Sequence, residues 1–224
     1  MKNNYFFIWV TFVFTFCTIA TASEEWGEPK RDKESIKIYT RKTTYINFEE
    51  FKGVTELKTS LNSLVGLLED TDACALWVYK CISEKTLSVV SPNEKYNYSV
   101  SEGYPFDNRD SIVNIIRTQD AESKTIIYQR TGIPDYIPIQ PHLVRVPIVK
   151  GSWVLKPEQC GMVSVTFQTL SDPGGYVPSM LANYASVDTP YYTLLNLRKE
   201  VMKPKYQNTK NLVDEFGYYC QSPK

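Results

Sequence analysis

Hydrophobic and polar residues alternate along many short stretches of this chain, which is the periodicity of β-strands. Trp153 and Leu155 share one face of such a stretch, and Val163, Val165 and Phe167 share one face of another. Both stretches are predicted to be strands with one apolar face. Further strands are predicted at residues 36–39, 46–49, 86–90, 96–100, 111–117, 125–130 and 143–149. The four between residues 86 and 130 follow each other closely and indicate an antiparallel meander.

The apolar spacing becomes that of a helix in the first half of the chain. Apolar residues recur three and four positions apart from Leu57 to Leu68, which predicts a helix with one buried face. A second helix is predicted after Thr71 or Asp72, either of which can cap its first turn, and it continues to about Ile82.

The longest predicted helix, Ser179–Val201, comes after a sharp turn. Asp172–Gly175 supplies the proline and the glycine that a type II turn requires, and Pro178 suits the first helical position. Pro190 lies inside this helix, so we predict a kink or a break just before it. The three prolines of Gly132–Pro141 predict an extended crossing segment and exclude a central strand.

The N-terminal residues have the features of a signal peptide. Lys2 is followed by an apolar run, Tyr5–Ile19, and then by the small-x-small pattern that ends at Ala22. We predict cleavage after Ala22 and a periplasmic or secreted protein. An uncleaved membrane anchor is less favoured, because the run is shorter than the roughly 20 residues that span a bilayer. The predicted organisation is a signal peptide at 1–22, a leader segment at 23–34, one domain at 35–203 and a C-terminal tail at 204–224.

Four cysteines remain after the predicted cleavage: Cys74, Cys81, Cys160 and Cys220. An even number behind a secretion signal favours disulfides, although four buried free thiols fit equally well. If Cys74 and Cys81 share one helix they are roughly 10 Å apart, too far for a bridge, which leaves two complete connectivities. A zinc site is a weaker alternative, because no C-x2-C spacing is present.

Charge and motifs exclude several classes of function. The chain has 25 basic and 25 acidic residues and no basic run, so nothing predicts nucleic-acid binding or strong attraction to anionic membranes. His142 is the only histidine, and the nucleophile elbow, HExxH, GxGxxG and P-loop motifs are absent. We therefore expect no catalytic residues, no cofactor and no metal.

Arg145 is the charged residue with two open interpretations. Its strand, Leu143–Val149, would place it either on the solvent face or in the interior, where a charge requires a partner. A structural salt bridge or a surface position is the favoured interpretation. The alternative is a polar anchor for the head group of a ligand.

Several groups of residues follow one another in a characteristic order. They are WVYKC at 77–81, NRD at 108–110, VRV at 144–146, GSW at 151–153, DPGG at 172–175 with Pro178 and Asn183, and LR at 197–198. Their order and spacing resemble those of the START (StAR-related lipid transfer) domain family over about Ser35 to Lys203.

The resemblance implies an α+β helix-grip fold, in which a curved antiparallel β-sheet wraps around a long C-terminal helix and encloses a hydrophobic tunnel. The inner face of the last helix and the loop Asp120–Lys124 would form the lid of the tunnel. In lipid-transfer members the arginine corresponding to Arg145 can pair with an acidic residue in the cavity, but the matching strand Tyr96–Val100 has no acid before Glu102. The expected cavity residues are Trp77, Tyr98, Arg145, Trp153, Phe167, Leu181, Ala182 and Ala185.

The function implied by the resemblance is non-catalytic binding of one lipid or other hydrophobic molecule. Transfer of that ligand, transient contact with a membrane and a monomeric state are expected with it. The alternative is a cyclase- or aromatase-like enzyme that acts on a hydrophobic substrate in the same cavity, which would need acid or base groups in the lining. A protein partner for a small cavity is a third possibility.

Overall fold

The computed structural model describes residues 25–44 and 46–215. The predicted signal peptide and Cys220 lie outside these residues. The strands are β1 (Arg31–Lys33), β2 (Ile36–Arg41), β3 (Glu50–Lys58), β4 (Cys81–Ser91), β5 (Glu94–Ser101), β6 (Arg109–Gln119), β7 (Ile126–Gly132), β8 (Val144–Arg145), β9 (Ile148–Pro157) and β10 (Met162–Asp172). The helices are α1 (Leu61–Glu69), α2 (Cys74–Trp77), α3 (Ser179–Glu200) and α4 (Pro204–Gln207), with 3-10 turns at Thr71–Ala73 and Gln159–Gly161.

All ten strands belong to one sheet in the order β1-β2-β3-β10-β9-β7-β6-β5-β4. These neighbours are antiparallel, and β8 adds a short parallel pairing to β6. Helix α3 packs against β2 and β3. The predicted α+β fold, an antiparallel sheet with a long C-terminal helix against it, is therefore confirmed.

The strands β9 and β10 form the centre of the core, as their alternation predicts. Trp153 lies opposite Phe167, and Leu155 lies opposite Val165. The rings of Trp153 and Phe167 stack with centroids 4.0 Å apart. Leu155 and Val165 are fully buried, and each such side chain stabilises the fold by about 1.5–3 kcal/mol.

Strand β3 differs from the prediction, which placed a strand at residues 46–49 and began a helix at Leu57. The strand covers Glu50–Lys58, and its inward positions are Phe51, Gly53, Thr55 and Leu57. Two of these four residues are a glycine and a threonine, so the sequence of β3 does not show the alternation of apolar and polar residues that predicts a strand. The glycine is required by packing, because a Cβ atom at this position would lie 2.7 Å from a methyl carbon of Leu194 on α3.

Helix α1 begins at Leu61, where the hydroxyl of Ser60 caps it by accepting a hydrogen bond from the Ser63 N–H at 2.9 Å. Asn62 ties the C-terminal segment to this helix. Its side-chain carbonyl oxygen accepts hydrogen bonds from the N–H groups of Leu212, at 2.7 Å, and Val213, at 3.1 Å.

The prediction of a helix to about Ile82 is wrong. Helix α2 ends at Trp77, Val78 is extended, and Lys80 has a positive φ of 62° that turns the chain into β4. This turn brings the Cα atoms of Cys74 and Cys81 to 5.9 Å, and the two residues form a disulfide. Our exclusion of this pairing assumed a helix that is not present.

The remaining cysteine of the described residues, Cys160, is also disulfide-bonded. Four free thiols and a four-thiolate zinc site are therefore both excluded, because a cysteine in a disulfide cannot supply a thiolate.

Helix α3 begins at Ser179, as predicted, and runs through Pro190 without the break that we considered. Pro178, which was predicted at the first helical position, is the N-cap. Pro190 is buried, and its Cβ atom lies 3.2 Å from the position that a Cβ atom on Gly53 would occupy. Close packing on β3 compensates for the backbone hydrogen bond that proline cannot donate. The crossing segment predicted after Gly132 is present and contains no strand up to β8.

Candidate functional site

A cavity of about 120 Å³ lies between α2 and the strands β4–β7, β9 and β10. Apolar and aromatic side chains form most of its lining. The principal ones are Leu68, Trp77, Val100, Ile115, Trp153 and Phe167. The disulfide Cys74–Cys81 forms part of the wall and closes the short loop that carries Trp77.

Three aromatic rings form a continuous surface on one side of the cavity. Trp77 meets Trp153 edge to face, with ring centroids 5.7 Å apart, and Trp153 stacks on Phe167. Trp77 is only 6% exposed, and its indole N–H has no acceptor within the described residues. The surface is suited to the apolar part of a ligand.

The lining also contains three charged residues: Glu84 on β4, Lys95 on β5 and Arg130 on β7. Lys95 is neutralised by Glu69, because its Nζ lies 2.5 Å from a carboxylate oxygen of that residue. Glu84 accepts a hydrogen bond of 2.8 Å from the side-chain amide of Asn97.

Arg130 differs from the other two because no partner holds its guanidinium. Within the described residues, no hydrogen bond and no ion pair shorter than 4 Å joins it to another group. Burial lowers the pKa of Arg130, and the carboxylate of Glu84 acts in the opposite direction. An arginine remains protonated under such shifts, so the half-buried guanidinium brings a positive charge to the cavity.

The predicted cavity residues fall into two groups. Trp77, Trp153 and Phe167 line the cavity. The remaining five, namely Tyr98, Arg145, Leu181, Ala182 and Ala185, do not. The last three belong to the first half of α3, where Leu181 is 46% exposed, Ala185 is exposed and Ala182 is half-buried.

Arg145 is held by a partner that we did not identify from the sequence. Its guanidinium binds both carboxylate oxygens of Asp110, each at 2.9 Å. We had looked for an acid on the strand that contains Tyr98. The acid lies instead on β6, because β8 pairs with β6 in parallel and sets Asp110 opposite Arg145. The structure therefore shows the structural salt bridge that we favoured.

Tyr98 lies beside this ion pair. Burial raises the pKa of its phenol, and the carboxylate of Asp110, to which the hydroxyl is hydrogen-bonded, raises it further. Asn108 accepts a hydrogen bond from the Gly103 N–H at the turn before β6, and Arg109, the first residue of β6, donates to the backbone carbonyls of Gly103 and Pro173.

The structure also locates the loop that was expected to form part of the tunnel lid, and the single histidine of the sequence. The loop Asp120–Lys124 is a turn closed by hydrogen bonds to the Asp120 carboxylate, and none of its residues lines the cavity. His142 is exposed.

The charged lining residues Glu84, Lys95 and Arg130 are absent from our expected set. For Arg130 a signal was present in the sequence. Ile126, Tyr128 and Arg130 recur with a period of two, and the first two are buried, so an inward position for Arg130 follows from the strand geometry. Glu84 and Lys95 lie on strands with bulges or mixed polarity, where the sequence gives no such indication.

Two further observations concern membrane-spanning helices and metal sites. Over residues 25–44 and 46–215, no helix has the length and hydrophobicity needed to cross a membrane. The same part of the chain has no cluster of three or more histidine, cysteine, aspartate or glutamate residues that could hold a metal ion.

An antiparallel sheet with a long helix against it and an aromatic cavity beside a short helix defines an α+β protein with a cavity between its sheet and its helices. The START domain model matches residues 18–188, and the chain belongs to that family.

Individual relatives agree with this assignment. An uncharacterized protein of Pseudomonas aeruginosa is 30% identical over 181 residues, which cover 81% of this chain and 89% of that protein. The crystal structure of a STAR-related lipid transfer protein from Xanthomonas axonopodis is 32% identical, with a TM-score of 0.74, over 80% of this chain and 99% of that chain. Human StAR-related lipid transfer protein 5 has the same fold, with a TM-score of 0.73 and 13% identity over 81% of this chain and 88% of that chain.

Proposed function

We propose that this protein binds one hydrophobic ligand, such as a lipid, in the cavity beside Trp77, Trp153 and Phe167, and carries it without covalent chemistry. The observation that supports the proposal is the continuous aromatic surface inside a START domain. Removal of apolar ligand surface from water stabilises a complex by roughly 25 cal/mol per Å², so a mainly apolar cavity can hold such a molecule without covalent chemistry. The name of the Xanthomonas relative, a lipid transfer protein, is consistent with this role.

The size of the cavity adds a requirement to the proposal. Its volume of about 120 Å³ is below the roughly 300–1,000 Å³ of most small-molecule sites. A ligand of lipid size therefore enters only if part of the wall moves. The segment after α2 is the part that we propose to move, because it is tied to α3 by few contacts: the stacked rings of Tyr79 and Tyr192 and a hydrogen bond of 3.1 Å from the Tyr79 N–H to Thr193.

The transient membrane contact that we expect is supported by exposed apolar side chains at the start of α3. Tyr176, Met180 and Tyr184 are 88%, 77% and 68% exposed. Large side chains of this type favour the boundary between lipid head groups and acyl chains. The nearly neutral chain would bind there by apolar insertion rather than by charge.

A periplasmic or secreted location remains part of the proposal. The disulfide Cys74–Cys81 supports it, because disulfides persist in oxidising compartments. Intact mass measurement of the protein recovered from the source cells tests the predicted cleavage after Ala22.

Native mass spectrometry of the mature protein, followed by solvent extraction, tests the binding proposal. We expect one bound lipid per monomer and recovery of the same molecule from the extract. Recovery of a converted product would support the enzyme alternative. A protein that is empty and takes up no lipid from vesicles would contradict binding.

A pair of variants relates uptake to the cavity. Ile115 lines the cavity and is 8% exposed, whereas its neighbour Ile116 is on the opposite face of β6 and is 40% exposed. Ile115→Phe is expected to fill the cavity and to lower lipid uptake at least tenfold. Ile116→Phe introduces the same change in composition on the outer face and is expected to leave uptake unchanged.

A further inference from the structure

We infer that the ligand has an anionic head group, a carboxylate or a phosphate, which pairs with Arg130 inside the cavity. This inference rests on the proposed function, because it identifies the chemistry of the molecule that the same cavity binds. It assigns the polar anchor to Arg130 on β7 and not to Arg145.

The first step of the argument is that the guanidinium of Arg130 lacks an acceptor. It lines the cavity, is half-buried, and has no hydrogen bond or close ion pair to any residue in the described ranges. A ligand in the cavity removes water from this charge, and a charge without water is unfavourable unless it is paired and hydrogen-bonded. A ligand that brings an anion relieves this cost and gains binding free energy from it.

Arg145 provides a comparison, because it is a buried arginine whose hydrogen-bond donors all have acceptors within the protein. Two of its nitrogens bind the carboxylate of Asp110, and its remaining donors reach the backbone carbonyls of Pro134, Ile137 and Pro138. Arg130 presents the same planar set of donors to a cavity instead. Carboxylate and phosphate groups match this geometry with two parallel hydrogen bonds.

The charges of the lining residues Glu84, Lys95 and Arg130 and of the groups paired with them do not cancel without a ligand. Glu69 accepts from Lys95 at 2.5 Å and from Arg117 at 3.5 Å, and Glu84 faces Arg130 without contact. These five groups carry three positive charges and two negative ones. One added negative charge makes the cluster neutral, whereas an added cation would increase the imbalance.

The aromatic side of the same lining suits the rest of such a ligand. The stacked rings of Trp153 and Phe167 offer the apolar surface for the tail. The lining as a whole therefore fits an acidic amphiphile.

Binding of four short-chain probes to the delipidated mature protein tests the inference by titration calorimetry. The probes are octanoate, octyl phosphate, 1-octanol and octylammonium, which share a tail of eight carbons and differ in the head group. Short tails are chosen because the cavity has a volume of only about 120 Å³. We expect octanoate or octyl phosphate to bind at least tenfold more tightly than octanol, with octylammonium weakest, and the tighter anion identifies the head group.

Variants then assign the preference to a single side chain. Arg130→Gln is expected to remove the tenfold preference for the anion and to keep the affinity for octanol, which also shows that the variant is folded. Arg130→Lys keeps the charge without the planar donors and is expected to retain part of the preference. Arg198→Gln removes one positive charge from the last turn of α3, away from the cavity, and is expected to have no effect.

The possible failures are distinguishable. Equal affinity for octanoate, octyl phosphate and octanol in the unchanged protein would overturn the inference and leave the proposed function intact. An anion preference that survives in Arg130→Gln would also overturn it. Failure of all four probes to bind would contradict the proposed function and the inference together.

Discussion

Arg145 and Asp110 form a two-pronged ion pair in the interior, with Nε to Oδ1 and Nη2 to Oδ2 distances of 2.9 Å each. The side chain of Asp110 is 0% exposed and that of Arg145 is 8% exposed. The pair joins β6 to β8, and Arg145 also binds carbonyl groups of the proline-rich segment that precedes β8. It fixes the path of a segment that has no strand pairing of its own.

Removal of the acid from this pair is expected to be strongly destabilising. Asp110→Asn leaves a buried arginine without its counter-ion, so the free energy of unfolding should fall by about 3–5 kcal/mol in urea denaturation. Asp135→Asn, at an exposed position in the same proline-rich segment, serves as the control and should change it by less than about 0.5 kcal/mol. A loss below about 1 kcal/mol for Asp110→Asn would contradict the assignment of a structural role.

The disulfide Cys74–Cys81 is expected to stabilise both the fold and the cavity wall. It closes a loop of eight residues, so the double variant Cys74→Ala, Cys81→Ala should lose roughly 2–3 kcal/mol of unfolding free energy. Because the loop carries Trp77, uptake of a lipid probe should decrease as well. Thermal unfolding and probe titration measure the two effects. Normal uptake by a destabilised variant would show that the disulfide supports the fold alone.

Tyr128 provides a test of how stability depends on pH. Burial, and next the nearby Glu69 carboxylate, raise the pKa of its phenol well above the usual value near 10. The unfolded chain releases this proton near pH 10 while the native protein keeps it, so stability falls as the pH rises above 10. Tyr128→Phe should make this decline shallower by about 1.4 kcal/mol per pH unit.

A comparison of Tyr128→Phe with the unchanged protein at lower pH serves as the control. Between pH 7 and 9 the phenol is neutral in both states, so the two proteins should show parallel curves. In this pH range the free energy of unfolding of the variant should be lower by about 1 kcal/mol, because the 3.0 Å hydrogen bond from the Tyr128 hydroxyl to Glu69 is lost. Identical slopes above pH 10 would contradict the predicted linkage.

Gly53 tests the close approach of α3 to the sheet. A methyl group at this position would meet Leu194, Ile38 and Pro190 at 2.7, 3.1 and 3.2 Å. Gly53→Ala should therefore cost about 1–3 kcal/mol of stability. Gly27→Ala, where no atom lies within 4 Å of the added carbon, should have almost no effect. Equal stability of the two variants in urea would mean that α3 is not seated on β3 as described.

The parts of the fold that the sequence predicts are those in which local pattern and tertiary packing agree. Trp153 and Phe167 follow a regular period of two and are buried as expected. Strand β3 was missed because its packing against α3 requires Gly53, and a glycine carries no apolar signal. The extent of α2 was missed because a disulfide and a positive φ at Lys80 end it, and helical periodicity contains neither.

In the candidate site, too, local sequence patterns predict some features, whereas contacts between distant segments determine others. The aromatic surface could be predicted from the sequence because Trp153 and Phe167 lie on strands with regular apolar alternation. The partner of Arg145 was not, since Asp110 meets it through a parallel pairing between distant segments. Arg130 was overlooked although Ile126 and Tyr128 define its face, because an inward arginine conflicts with the expectation that charges lie outside.

The position of β10 between β3 and β9 has a consequence for the order of folding. The meander β4–β7 joins neighbours in the sequence, so these strands can pair while the chain is being synthesised. Strand β3 can pair early with β2, but its pairing with β10 comes later, because the partners there, from Met162 opposite Lys58 to Thr169 opposite Phe51, are more than 100 residues away. Closing so long a loop is slow, which makes this pairing the expected late step of folding. Any truncation before β10 would leave both β3 and β9 with an open edge that invites aggregation.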